Sequence, residues 1–77
     1  MNLLVDTHVL IWWATDDPRL GPTLRSAMAD PGNSVYFSAI SIWEVAIKHA
    51  KGLLALGPDR LRESSMLAGI RELPFLS

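Results

Sequence analysis

Two of the eight acidic residues stand apart from the rest. Asp6 directly follows the apolar run Leu3-Leu4-Val5, and Glu44 comes shortly after a second such run, Val35-Tyr36-Phe37. A carboxylate at the end of a buried segment is costly to desolvate unless it is capped, paired or bound to a metal. For Asp6, position alone leaves two roles open: capping the helix that follows, or ligating a cation. Glu44 has three. Ser41-Ile42-Trp43-Glu44 fits the S-x-x-E capping box, and Lys48 lies four residues on for a helical ion pair. The third role is chemical. If both carboxylates reach one site, they suit a hard divalent cation and phosphodiester hydrolysis by metal-activated water.

Other chemistries lack their residues. The chain has no cysteine, which excludes disulfides, zinc knuckles and a thiol nucleophile. None of its five glycines falls in G-x-G-x-x-G or G-x-x-x-x-G-K-[ST], so no phosphate-cradling loop is expected. His8 reads as structural and His49 as exposed. Trp12, Trp13 and Trp43 read as core or interface aromatics.

Positioning Asp6 and Glu44 requires a particular order of elements. Leu3-Leu4-Val5 is a short continuous apolar run, consistent with a strand buried on both faces, as in a parallel sheet. Thr7 is a candidate cap for a short buried helix over 8–14. Gly21-Pro22 opens a second helix, with Leu24, Ala27 and Met28 turned inward, and Asp30-Pro31-Gly32-Asn33 stops it. Val35 to Ser38 is a second strand. Ser41 starts a third helix, with Glu44 in its first turn and Ile42, Trp43, Ala46, Ile47 and Ala50 on its apolar face. Gly52 ends it. Pro58 opens a fourth helix, and residues 71–75 form a third strand weakened by Pro74. Strands alternating with helices imply an α/β fold with a parallel sheet and right-handed crossovers. Such sheets bind ligands beyond the carboxyl ends of their strands, where Asp6 and Ser38 fall.

Composition sets the outer limits. With 77 residues, 49% of them hydrophobic and only 19% charged, the chain holds one domain at most and is not intrinsically disordered. Its longest apolar run, Val9 to Ala14, is far short of the roughly 20 residues that span a bilayer. No basic segment precedes the N-terminal apolar stretch, so a cytoplasmic location is expected over a secreted one. Residues 1–44 carry two basic against five acidic side chains, and residues 45–77 carry five against three. That asymmetry is a weak pointer to an acidic or nucleic-acid partner.

At these residues the chain resembles a known family. Leu3-Leu-Val-Asp-Thr-His-Val-Leu-Ile-Trp12 is similar to the opening motif of PIN-domain ribonucleases, most of all the VapC-type toxins of toxin–antitoxin pairs. Ser38-Ala-Ile-Ser-Ile-Trp-Glu-Val-Ala-Ile-Lys48, followed by Gly52-Leu53, resembles their second motif. Gly69 to Pro74 resembles the approach to their third strand. The resemblance implies a PIN-like, Rossmann-like three-layer sandwich around a parallel sheet. It implies Asp6 and Glu44 as catalytic, metal-binding acids, with Thr7 and Ser38 as polar helpers. It implies Mg²⁺ or Mn²⁺ as cofactor, RNA such as tRNA as substrate, a VapB-type antitoxin as partner and a homodimer in the complete form. The family's third acidic motif has no counterpart here, so residues 1–77 are expected to be the N-terminal portion of one PIN-like domain, C-terminally truncated. The implied activity is then weak or absent, and a protein-interaction module is the alternative. A haloacid-dehalogenase-type phosphatase also carries a strand-end Asp, but needs a second Asp two residues on, where this chain has His8.

Overall fold

The structure, a computed structural model, describes residues 1–74. The elements run β1 (Asn2–Val5), α1 (Thr7–Ala14), α2 (Pro22–Ala29), β2 (Ser34–Ser38), α3 (Ala39–Ala50), α4 (Pro58–Leu67) and β3 (Arg71–Leu73). The strands form one parallel sheet in the order β1-β2-β3. Leu3 pairs with Val35 and Val5 with Phe37, then Phe37 with Glu72. The expected α/β class and strand direction are therefore seen. The expected third strand ends at Leu73 because proline follows, and its last expected residue, Phe75, lies outside the described residues.

Strand order dictates where the helices go. Both crossovers step in the same direction, so right-handed connections place the helices between strands on the same face of the sheet. Leu3, Val5, Val35 and Phe37 point to that face by strand alternation. They join Leu10, Leu20, Met28, Ile42, Val45, Leu61 and Ile70 in one core. The opposite face carries Leu4, which is 68% exposed, so β1 is covered on one face and not on both as expected, because the helices all lie on one side. The described residues thus supply two of the three expected layers, the sheet and one helical layer. The shortest dimension, 18 Å, matches a sheet backed by one layer of helices about 10 Å across.

Both long-range tethers and local turns follow from named residues. The Arg62 guanidinium bonds both Glu72 carboxylate oxygens, at 2.9 and 3.2 Å, and fastens α4 to β3. α1 ends in a turn in which Asp16 adopts φ +53°, a left-handed conformation that Asp tolerates better than most residues. There Asp17 receives three bonds from the Arg19 side chain, and Asp16 pairs with Arg25 at 2.9 Å. Hydrogen bonding from Arg19, first by side chain and then by backbone, holds the Asp17 carboxyl down to about 2. The two arginines lie over α1's tryptophans, Arg19 Cζ at 5.4 Å from the Trp12 ring centroid and Arg25 Cζ at 5.9 Å from that of Trp13.

Candidate active site

α2 and α4 start at Pro22 and Pro58 as expected, whereas the starts of α1 and α3 differ from the sequence expectation, and those two differences build the site. Asp6, not Thr7, caps α1: its backbone is extended and its Oδ1 accepts from the Val9 amide at 2.9 Å. Asp is a stronger N-cap than Thr, and here it stands first after the strand. Thr7 becomes the first helical residue and is buried.

Ser38, not Ser41, caps α3, its Oγ accepting from the Ile40 amide at 3.1 Å. The helix therefore starts ahead of Ser41, and Glu44 falls in the second turn instead of the first. That excludes the capping box for Glu44, since the position facing back to this cap is held by Ser41. Among the described residues Glu44 makes no ion pair with Lys48.

The burial of α3 is corrected in the same way. Its inward residues are Ser41, Ile42 and Val45, and Val45 is fully buried. Trp43 and Ile47, expected on the inward apolar face or, for Trp43, at an interface, are 68% and 42% exposed. The early start does not rotate the helix by itself. The apolar residues simply extend around more of its circumference than the sheet covers, and Ile40, Trp43 and Ile47 form an outer stripe.

The carboxyl ends of β1 and β2 open into a cleft of about 300 Å³. Asp6, Thr7, Ser38, Ser41 and Glu44 line it, with Leu4 and Ile40 as apolar walls. All four residues expected at the site meet there. Thr7 Oγ1 lies 3.1 Å from Glu44 Oε1 and 2.9 Å from Ser41 Oγ. The first contact spans 37 positions and ties α1 to α3. Ser41 is the residue that sequence reasoning missed as a site component. Its three-residue spacing from Glu44 puts both on one helix face, a signal first read as a cap. A larger cleft of about 400 Å³, between the end of α1 and α4, holds Arg60 and Glu63 but lies away from the strand ends.

The donor set admits a hard cation. Asp6 uses one oxygen for its cap and Glu44 one for Thr7, which leaves each a second oxygen with no hydrogen bond to the described residues. No basic side chain pairs with either among those residues. No group of three or more acidic or histidine side chains gathers among them either. Two carboxylates are nonetheless the usual protein share for Mg²⁺, which keeps several waters and takes substrate phosphate oxygens as further ligands.

A parallel sheet with carboxylates at its strand ends and a hydroxyl-bonded glutamate on the following helix defines an α/β protein with an acidic, oxygen-rich site. The PIN domain family model matches residues 3–76, and the chain belongs to that family. PIN domains are in general metal-dependent nucleases. No curated protein and no solved structure compared with the chain gives a significant match. No helix of the described residues is long and apolar enough to cross a membrane.

Proposed function

We propose that this chain carries the first two acids of a Mg²⁺- or Mn²⁺-dependent endoribonuclease of the VapC toxin type, with structured RNA such as tRNA as substrate. One observation carries the reading: Asp6 and Glu44 line a single cleft at the strand ends, and no described basic side chain neutralises them. Asp6 and Glu44 would hold the cation through their second oxygens. The chemistry such an ion supplies when bound is activation of water and neutralisation of charge on the phosphate. Thr7 fixes the Glu44 carboxylate by donating to Oε1. Ser38 holds the mouth by anchoring the first turn of α3. Leu4 and Ile40 give the cleft its apolar wall.

The test is cleavage of a folded RNA by the 77-residue chain and its Asp6→Asn variant, with and without Mg²⁺ or Mn²⁺. Weak, metal-dependent cutting that Asp6→Asn abolishes supports the reading. Cutting that survives EDTA or Asp6→Asn contradicts it.

A second reading is favoured by the outer stripe of α3. Ile40, Trp43 and Ile47, continued by Leu4, form an exposed apolar ridge beside the acids. In this reading the chain is an interaction module that binds a VapB-type antitoxin or a second copy of itself. Absence of cutting, together with self-association or antitoxin binding that Trp43→Gln weakens, would favour it over the nuclease.

A further inference from the structure

The geometry points to Ser41 as a positioning residue that acts on Glu44 through the Thr7 hydroxyl. The inference rests on the metal-site reading above and adds the residue that orients its second acid.

Proton counting carries the argument. Thr7 Oγ1 is within hydrogen-bond distance of both Ser41 Oγ and Glu44 Oε1. A hydroxyl has one proton and two lone pairs, while an ionised carboxylate only accepts. If the Thr7 proton went to Ser41, a Thr7 lone pair would face a Glu44 lone pair at 3.1 Å. The arrangement closes in one way: Ser41 donates to Thr7, and Thr7 donates to Glu44. Ser41 and Thr7 are both buried, at 4% and 7% exposure, so water does not readily replace the bond between them. Glu44 is exposed, and its long side chain has no other partner among the described residues. Its orientation therefore depends on how firmly Thr7 is held.

Burial of Ser41 has no packing motive of its own. Alanine fits the same helix position, with higher helix propensity and no polar group to satisfy. A serine there is explained by the bond to Thr7. Residues that orient metal ligands in this way contribute about 10–100-fold to metal affinity. Ser41, one bond further out than Thr7, belongs at the lower end of that range.

The experiment is titration of the full chain with Mn²⁺ alone, followed by electron paramagnetic resonance, with circular dichroism as the folding check. Ser41→Ala is expected to weaken Mn²⁺ binding about tenfold while its melting temperature stays near the parent's. Ser41→Thr, which keeps the hydroxyl, is expected to bind as the parent does. Thr7→Val is expected to weaken binding further. The Thr7→Val/Ser41→Ala double variant is expected to be no worse than Thr7→Val, because among the described residues the Thr7 hydroxyl is the hydrogen-bonded link between Ser41 and Glu44. Parent-like binding by Ser41→Ala, or losses that multiply in the double variant, would overturn the proposal. Asp6→Asn separates the two levels of the account. If Asp6→Asn loses Mn²⁺ binding and Ser41→Ala does not, only the relay fails. If Asp6→Asn binds as the parent does, the metal site itself is refuted, and the relay with it.

Discussion

Each end of α1 lies beside a pair of acids, Asp16 and Asp17 at one end and Asp6 with Glu44 of α3 at the other, and the two pairs are treated in opposite ways. At its C-terminal end, Asp16 and Asp17 are both matched to guanidinium groups, and those groups in turn cover Trp12 and Trp13. At its N-terminal end, Asp6 and Glu44 accept only an amide and a hydroxyl from the described residues. The first pair fastens a turn. The second pair keeps two oxygens free in a cleft, which stabilises nothing by itself and leaves capacity for an added cation. Acid content alone therefore says little about function; what matters is whether the fold also supplies the countercharge.

The comparison is broken most severely by removing charge at the N-terminal end. Asp6→Asn keeps the cap, since Asn caps as well as Asp. Stability should stay within about 0.5 kcal/mol of the parent, while divalent-ion binding falls by more than the roughly 100-fold that supporting residues account for. Thermal melts beside an isothermal Mn²⁺ titration separate the two effects. A parallel loss of stability and binding would mean that Asp6 is a structural acid like Asp17.

Next in size is Trp13→Ala at the other end. The ring is half-buried and carries Arg25, so the loss should be about 2 kcal/mol, near half that of a core aromatic. Chemical denaturation measures it, and metal affinity should not change. Thr7→Val follows. It removes the shared hydroxyl and strands Ser41, at about 1–2 kcal/mol of stability. A double-mutant cycle with Glu44→Gln should show that the two residues are coupled.

How much of this was legible beforehand depended on the kind of signal. The alternation of short apolar runs with helical segments reported the β-α-α-β-α-α-β order, because runs such as Leu3–Val5 and Val35–Phe37 are too short and too apolar for exposed helices. Glycine and proline marked the starts of α2 and α4. Asp6 was one of two candidate caps for α1, and the structure selects it over Thr7, while the start of α3 at Ser38 was misread as Ser41. Each cap has another good capping residue close by, and the choice is made by where the strand ends. Trp43 and Ile47, placed on the apolar face of α3, stay exposed because side-chain hydrophobicity reports what a helix is able to bury, not how many neighbours it has. The meeting of Asp6 and Glu44 followed from topology and the place of Thr7 beside them from the family resemblance, whereas the contact of Ser41 with Thr7 required coordinates.

The smallest expected effect sharpens the comparison at the Asp17 end. Arg19→Gln should return the Asp17 carboxyl from about 2 toward its ordinary range, as read by carboxyl carbon shifts in an NMR titration. Because the folded value is depressed, the pair contributes stability above the unfolded pKa, and that contribution is lost as pH falls through the folded value near 2. The variant should therefore show a flatter dependence of stability on pH between about 4 and 2. Removing an exposed pair should move stability at neutral pH little.

The central claim is that Asp6 and Glu44, unpaired acids that share one cleft, and not the paired Asp16 and Asp17, take a divalent cation. Substoichiometric Mn²⁺ added to the isotope-labelled chain tests it directly, since the ion broadens backbone amide signals close to where it binds. The account predicts that Asp6, Thr7, Ser38 and Glu44 broaden first, while Asp16 and Asp17 keep their intensity. Broadening centred on Asp16 and Asp17, or spread evenly over all exposed acids, would contradict it.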